Sequence, residues 1–320
     1  MPETDSPTFA VDVCIGTYRR PRGLRTVLEG VAAQRFTTMT RPDIHVVVVD
    51  NDPAAAARAV VETAAAETGL TIAFVAEPRR GIAHVRNTAV ASTREAARFI
   101  AFLDDDELPE PQWLEQLLLV QAAHDADAVA GPVVPSFEQV PPRWMQRGRF
   151  HDRPTHPTGT RLPYVGTGNV VVRSALLRTT DEPFDHRLAL SGGEDTLFFL
   201  QLTRAGGSVV WAADAVVHET VPASRATAGW ILRRAYRGGN AFARCEAIAA
   251  DGARPVRRWV NRFARGVLRI LRGLARVLVA PLGGGRAGAL EGLRTAANGL
   301  GVLTALVGAG FDEYVRTHGD

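Results

Sequence analysis

The sequence predicts an α/β fold: a mostly parallel central sheet flanked by helices, with a helical extension at its C-terminal end. Three observations predict it. Short apolar runs alternate with helical-period stretches through the first hundred residues. One such run, Phe99-Ile100-Ala101-Phe102-Leu103, ends abruptly in Asp104-Asp105-Asp106-Glu107. Beyond about residue 222 the pattern becomes mainly helical.

Residues 11–16 read as the first strand. Pro21 then suits the first turn of a helix carrying Leu24, Val27, Leu28 and Val31 at helical spacing. Residues 44–50 are β-branched and form a second strand buried on both faces. Residues 53–68 make an Ala-rich helix closed by Gly69, and residues 71–75 a third strand. Residues 81–93 are helical, and residues 98–103 make the fourth strand. This β-α-β-α-β-α-β order implies right-handed crossovers in a parallel sheet. A helix from Pro111 and a strand over 128–134 follow. Residues 135–163, rich in Pro, Arg and His, form a long excursion over the site. Residues 164–173 lead through Gly166-Thr167-Gly168-Asn169 into a strand. Gly192-Gly193-Glu194-Asp195 precedes a helix over 196–205, and short strands cover 208–213 and 215–218.

The composition, 46% hydrophobic and 22% charged over 320 residues, is enough for a sizeable core. All 37 basic residues are Arg. With no Lys there is no P-loop lysine, no Schiff base and no phosphoaspartate-receiver chemistry. Gly16-Thr17-Tyr18-Arg19-Arg20-Pro21 after the first strand is not the G-x-G-x-x-G of a dinucleotide site. Cys14 and Cys245 alone suggest no disulfide framework, and the opening residues show no basic-then-apolar leader. A cytoplasmic location is therefore expected.

The acidic run carries the chemistry. A strand in an open α/β sheet presents its carboxyl end to the ligand crevice. Asp104 and Asp106, two residues apart, share one side of an extended chain and repel each other unless a cation lies between them. A hard divalent ion carrying a phosphate-containing ligand resolves that conflict. The alternative is a solvated acidic loop.

These residues, in order, carry a resemblance. The set is Gly16-Thr17-Tyr18-Arg19-Arg20-Pro21, Asp50-Asn51, Arg79-Arg80-Gly81 to Arg86-Asn87, Phe102-Leu103-Asp104-Asp105-Asp106, Gly166 to Asn169, and Gly192 to Asp195. Over residues 9–245 the chain resembles family-2 glycosyltransferases, with their Rossmann-like GT-A fold, and within them exopolysaccharide-assembly enzymes of the succinoglycan type. The resemblance implies an inverting, metal-dependent transferase (Mn²⁺ or Mg²⁺) that moves a sugar from a nucleoside-diphosphate sugar, expected to be a UDP-sugar, to a glycan or lipid-linked acceptor. It implies that Thr17 and Asp50 line the nucleoside pocket and that Tyr18, Arg19, Asp105, Gly168 and Asn169 belong to the nucleotide-sugar site. It also implies that Arg86 lies near the nucleotide, that Asp104 contacts the nucleoside or ribose, and that Asp106 holds the metal together with Asp104. Asp195, with Glu194 as its neighbouring alternative, is the general base, and His218 completes the metal site. Each role has a plainer counterpart: a turn or helix cap for Asp50, an ion pair for Arg86, a helix-start acid for the 194–195 pair, a structural imidazole for His218. Arg233, Arg234 and Arg237 either contact a diphosphate or stay solvated. A sugar-phosphate nucleotidyltransferase would want a Lys, and a binding protein that merely kept the fold would not need both acidic motifs.

The sequence divides into a catalytic part, residues 1–245, and an Arg-rich helical part, residues 246–320. Residues 251–282 hold eight Arg and one acid. Arg258, Arg262, Arg265, Arg269, Arg272 and Arg276 fall on one helical stripe, with Trp259, Phe263, Leu271, Leu274 and Leu278 elsewhere. An anionic membrane surface, at the inner face of the cell membrane, is the expected partner of 255–279. The alternative is a packed helix with its arginines in water. No nucleic-acid module is recognisable. Residues 295–311 are uncharged but too short and Gly-rich for a full span.

Overall fold

The computed structural model describes residues 9–250 and 255–311. The opening residues read for a leader, together with Asp251 and Arg254 of the basic segment, lie outside the described residues.

The first half alternates as expected: β1 (Ala10–Thr17), α1 (Pro21–Ala32), β2 (Asp43–Asp50), α2 (Arg58–Thr68), β3 (Thr71–Ala76), α3 (Ile82–Ala91) and β4 (Ala97–Asp104). Then come β5 (Glu107–Pro109), α4 (Trp113–His124), β6 (Ala128–Ala130), β7 (Val133–Phe137), α5 (Arg143–Gly148), β8 (Asn169–Arg173), α6 (Ser174–Leu177), α7 (Glu194–Arg204), β9 (Val209–Trp211) and β10 (Val217–Val221). The seven-stranded sheet runs β3-β2-β1-β4-β8-β6-β9, and only β8 is antiparallel to its neighbours.

Strand alternation splits the core in two. Val11, Val13 and Ile15 face Leu24, Leu28, Trp113 and Leu117 on one side of the sheet. Cys14, Val47, Val49 and Phe102 face Val85, Phe184 and Phe199 on the other. Burial on both faces explains the unbroken apolar run of β2. The register places Thr17 opposite Asp50 and Gly16 opposite Asp104, which gathers the strand ends at one rim.

Two expectations shift. Helix α2 begins at Arg58 rather than residue 53, because Asp52 to Ala57 form turns held by Asp50. The run 128–134 divides at Gly131-Pro132: β6 stays in the large sheet, while β7 joins β10 and β5 in a second, three-stranded sheet. Proline has no N–H to continue a ladder. The excursion over 135–163 contains α5.

Helices α8 (Ala228–Ile248), α9 (Pro255–Val279) and α10 (Gly285–Leu306) form the C-terminal layer. Helix α8 runs through residue 245, the division read from the sequence. Helices α9 and α10 meet backbone to backbone: a Cβ on Gly299 would lie 2.6 Å from the Gly266 carbonyl oxygen, and one on Gly292 2.6 Å from that of Gly273. Part of the arginine stripe of α9 reaches this layer. Arg262 donates to the Ala243 carbonyl, Arg265 forks onto Glu246, Arg269 bonds Asn298, and Arg276 pairs with Glu291. Trp259, Phe263, Leu271, Leu274 and Leu278 are exposed as well. Arg258, Arg265, Arg272 and Arg276 stay exposed, so the stripe is shared between this layer and solvent, and the glycine seam sets which way the helix faces. Among the described residues, no helix is long and apolar enough to cross a membrane.

Candidate active site

The strand ends open onto a cleft with two lobes. The first, about 260 Å³, is walled by Thr17, Tyr18, Asn51, Arg80, the run Asp104 to Asp106 and Glu219. The second, about 720 Å³, is walled by Arg86, Gly166 to Gly168, the run Gly192 to Thr196, and residues of α8 to α10. Asp104, Arg153, Arg234 and Arg237 line both, so the lobes meet there.

The three aspartates have different surroundings. Asp104 opens into the cleft with its side chain 44% exposed, and Arg86 approaches it at 3.6 Å. The cleft is recessed, so poor solvation raises the Asp104 carboxyl above the usual range; Arg86 opposes this and Asp106 adds to it. Asp105 points inward. It accepts the Thr17 hydroxyl at 2.9 Å and Arg20 at 2.8 Å, and burial pushes its pKa up to about 6. Asp106 is held by Arg20 at 3.1 Å and Arg225 at 2.9 Å. Glu107 is fully buried beneath them. Its Oε2 accepts the Asp104 N–H at 3.3 Å, its Oε1 has no hydrogen-bond partner, and burial raises its carboxyl well above the ordinary value.

Across the cleft, β10 supplies Glu219, paired with Arg153 at 2.6 Å and Arg225 at 3.6 Å. Burial alone would raise this carboxyl, but Arg153, Arg234 and Arg225 together hold it below the usual range. The Tyr18 ring meets two guanidinium groups, Arg80 at 4.7 Å from its centre and Arg19 at 5.1 Å.

The second lobe holds the other acidic pair. Gly192 and Gly193 take positive φ, 75° and 97°, to turn the chain into α7. Glu194 is buried and paired with Arg86. Asp195 lies in the lobe wall with its Oδ1 on the Thr196 N–H at 2.6 Å, and its Oδ2 faces Gly166.

Thr17, Tyr18, Arg86, Asp104, Asp105, Asp106, Gly168, Glu194 and Asp195 thus gather at the cleft; four other expected residues do not. Asp50 is buried and spends both oxygens on the backbone, accepting Asp52 N at 2.9 Å and Ala57 N at 3.0 Å, so it caps the turn before α2. Asn169 is buried behind the wall, accepting Trp113 Nε1 at 2.7 Å and donating to the Pro132 and Ala215 carbonyls. Arg19, at φ 52°, leans out onto Asp52. His218 points away because alternation on β10 gives the cleft to Glu219. Its imidazole meets Glu110 at 2.9 Å, and it lines neither lobe. His218 thus stands off the cleft that holds Asp104 and Asp106. Sequence reasoning missed Arg153, Glu219 and Arg225. The excursion over 135–163 pointed toward Arg153, and Glu219 stands next to the residue chosen in its place. Arg234 and Arg237 line the cleft, as one of their two readings required, while Arg233 does not.

Could these residues hold a hard cation? The donors are carboxylate oxygens, the type Mg²⁺ and Mn²⁺ prefer. Asp104 and Asp106 raise each other's cost of ionisation, and Glu107 Oε1 beneath them has no hydrogen bond and only Arg153 at 3.9 Å, surroundings a cation would relieve. The donor type fits the group, while among the described residues no three such side chains converge on one point.

A sheet rim carrying an acidic run over a two-lobed cleft defines a sugar-transferring enzyme of the GT-A type. The sequence profile of glycosyl transferase family 2 matches residues 12–181, and that of glycosyl transferase family group 2 matches residues 99–306. The succinoglycan biosynthesis protein ExoM of Rhizobium meliloti is 36% identical over 249 residues, 77% of this chain and 78% of that protein. Glycosyltransferase AglE of Haloferax volcanii is 26% identical over 72% of this chain and 71% of its own length. Among solved structures, S. aureus TarS 1-349 in complex with UDP matches with a TM-score of 0.53 at 18% identity, covering 90% of each chain. This chain belongs to glycosyl transferase family 2, and it is a glycosyltransferase with the GT-A fold.

Proposed function

We propose that the protein is an inverting, divalent-metal-dependent transferase. It moves a sugar from a UDP-sugar to a hydroxyl of a glycan or lipid-linked acceptor in exopolysaccharide assembly. The observation that carries this reading is the meeting of two lobes at Asp104, one ending in the acidic run and the other holding Asp195. The UDP complex of TarS supports the donor, and the kinship with ExoM supports the process.

Tyr18, Asn51 and Arg80 frame the end of the first lobe that takes the nucleoside. Asp104 and Asp106 would hold the cation, which when bound neutralises charge on the departing diphosphate. Arg153 and Arg234 stand where the lobes join and add positive charge next to the leaving group.

Glu194 is committed to Arg86, which leaves Asp195 as the base. Thr196 fixes one of its oxygens, and the other faces the lobe. Asp195 takes the proton from the acceptor hydroxyl as that oxygen bonds the anomeric carbon. The carbon–oxygen bond to the diphosphate breaks, its electron pair leaves with the nucleoside diphosphate, and attack from the opposite side inverts the centre.

Residues 1–245 carry the donor chemistry, and the extension, 246–320, completes the second lobe. The exposed apolar side of α9 rests on the inner face of the cell membrane. The test of the catalytic reading is Asp195→Asn against Asp106→Asn. The first leaves UDP affinity intact and lowers transfer by about 10²–10⁴; the second weakens UDP binding only when Mn²⁺ is present. Equal loss of UDP affinity in both refutes the division of roles.

A further inference from the structure

Every carboxylate of the acidic run has a guanidinium within reach. Arg86 stands 3.6 Å from Asp104, Arg20 2.8 Å from Asp105, and Arg153 3.9 Å from Glu107. Asp106 has two: its Oδ2 accepts Nη1 of Arg20 at 3.1 Å and Nη1 of Arg225 at 2.9 Å. A divalent cation adds two positive charges to that balance, and at Asp106 it meets two guanidiniums bonded to one oxygen. One of them must withdraw for a cation to settle there. Arg20 also carries Asp105, whose side chain is only 7% exposed, so its departure would strand a buried carboxylate. Arg225 can leave at lower cost. Its other carboxylate, Glu219 at 3.6 Å, keeps Arg153 at 2.6 Å. There is also room for it. Arg225 lies on the turn between β10 and α8, where its N–H bonds the Pro222 carbonyl at 2.9 Å. Arg20, Asp106, Arg225 and Trp230 form a wall shared by the first lobe and a third cavity of about 540 Å³.

We infer that Arg225 is a tethered counter-ion that competes with the divalent cation for Asp106. It neutralises Asp106 until a cation arrives, then withdraws toward the third cavity while Arg20 stays with Asp105. The charge on Arg225 therefore sets how tightly the protein takes up the cation. This rests on the metal-dependent transferase reading and adds to it the residue that governs cation entry.

The experiment reads cation binding rather than turnover. Full-length protein is titrated with Mn²⁺, and bound metal is followed by electron paramagnetic resonance. Removing a unit charge beside the site is expected to tighten Mn²⁺ binding by Arg225→Gln about tenfold or more. Arg225→Lys keeps the charge and should stay close to the parent. Arg225→Met, which also removes the charge, serves if the Gln variant does not fold. Arg225→Gln/Asp106→Asn should bind no more tightly than Asp106→Asn alone, because the two side chains act on each other. Binding by Arg225→Gln that is unchanged or weaker than the parent's overturns the inference. So does a Lys variant that binds as tightly as the Gln variant, since bulk and not charge would then be at work, and so does a tightening that survives Asp106→Asn. No uptake of Mn²⁺ by any of these proteins, with UDP or without it, strikes the metal-dependent reading and the inference together. Clear uptake by the parent that the Gln variant leaves unchanged strikes the inference alone.

Discussion

Arg86 and Glu194 form a buried ion pair, and the same guanidinium stands 3.6 Å from Oδ1 of Asp104. One side chain of α3 therefore joins the acidic run of the first lobe to the helix start that presents Asp195 in the second. Removing one member of a buried pair strands the other charge, which costs about 3–5 kcal/mol. Arg86→Met is expected to destabilise the fold by that order. Arg86→Met/Glu194→Met should recover most of the stability, since an apolar pair of similar volume can replace buried charges. Transfer should not recover. Thermal melting and single-turnover transfer on the three proteins check this, and a double variant as unstable as the single one contradicts it.

Gly168 touches the acidic floor. A Cβ placed there would lie 2.5 Å from Oε1 of Glu107, whose side chain is fully buried and has nowhere to retreat. Gly168→Ala should lower stability by about 1–3 kcal/mol, the usual cost of overpacking. It should also disturb donor binding, because Glu107 supports the Asp104 backbone N–H. Denaturant unfolding and UDP titration measure the two effects. A variant as stable as the parent would mean Glu107 moves freely.

Asp105 sets a pH dependence. Its pKa in the folded protein is about 6, above the ordinary carboxyl value of 3.8, chiefly through burial. Folding therefore takes up a proton between these values, and the contribution of this group to stability falls as pH rises through 6. The stability of the parent relative to Asp105→Asn should fall as pH rises from 4 through 6 and then level. Chemical denaturation across pH 4–8 reads it. A difference that instead grows with pH would show that Arg20 dominates burial.

Local periodicity carried much of this architecture in the sequence. The apolar run that ends β4 at Asp104, with Asp105 and Asp106 in the turn that follows, is a property of a few adjacent residues, and so is the helical face of Leu24, Val27, Leu28 and Val31. What was not legible depends on distant partners. Asn169 is held by Trp113, Pro132 and Ala215, up to 56 residues away, and nothing in Gly-Thr-Gly-Asn announces a buried amide. Period two says that His218 and Glu219 face opposite ways but not which one meets the cleft. Arg153 and Arg225 come from irregular segments with no period to read. The arginine stripe of α9 was real, yet its direction is fixed by Gly266 and Gly273, spaced seven apart like Gly292 and Gly299 on α10. That matched spacing was the available signal for which side would pack.

The outward side of α9 gives the last prediction. Leu271 is 59% exposed and Leu278 80%, on the same side as Trp259 and Phe263, whose rings stack 5.4 Å apart. Contiguous apolar side chains left in water mark an interaction surface. A helix presenting them along its length can bury them at the headgroup boundary of a bilayer. Because Arg265 and Arg276 are paired with Glu246 and Glu291, attachment here should depend on apolar area more than on charge. Leu271→Glu/Leu278→Glu should abolish flotation with vesicles, and raising salt should weaken the parent's flotation only modestly. Neither leucine lines the cleft lobes, so UDP affinity should match that of the parent. A second copy of the chain could cover the same side, and sedimentation decides between the two. A dimer that the double Glu variant disrupts, with no vesicle binding by the parent, would reassign the surface to self-association.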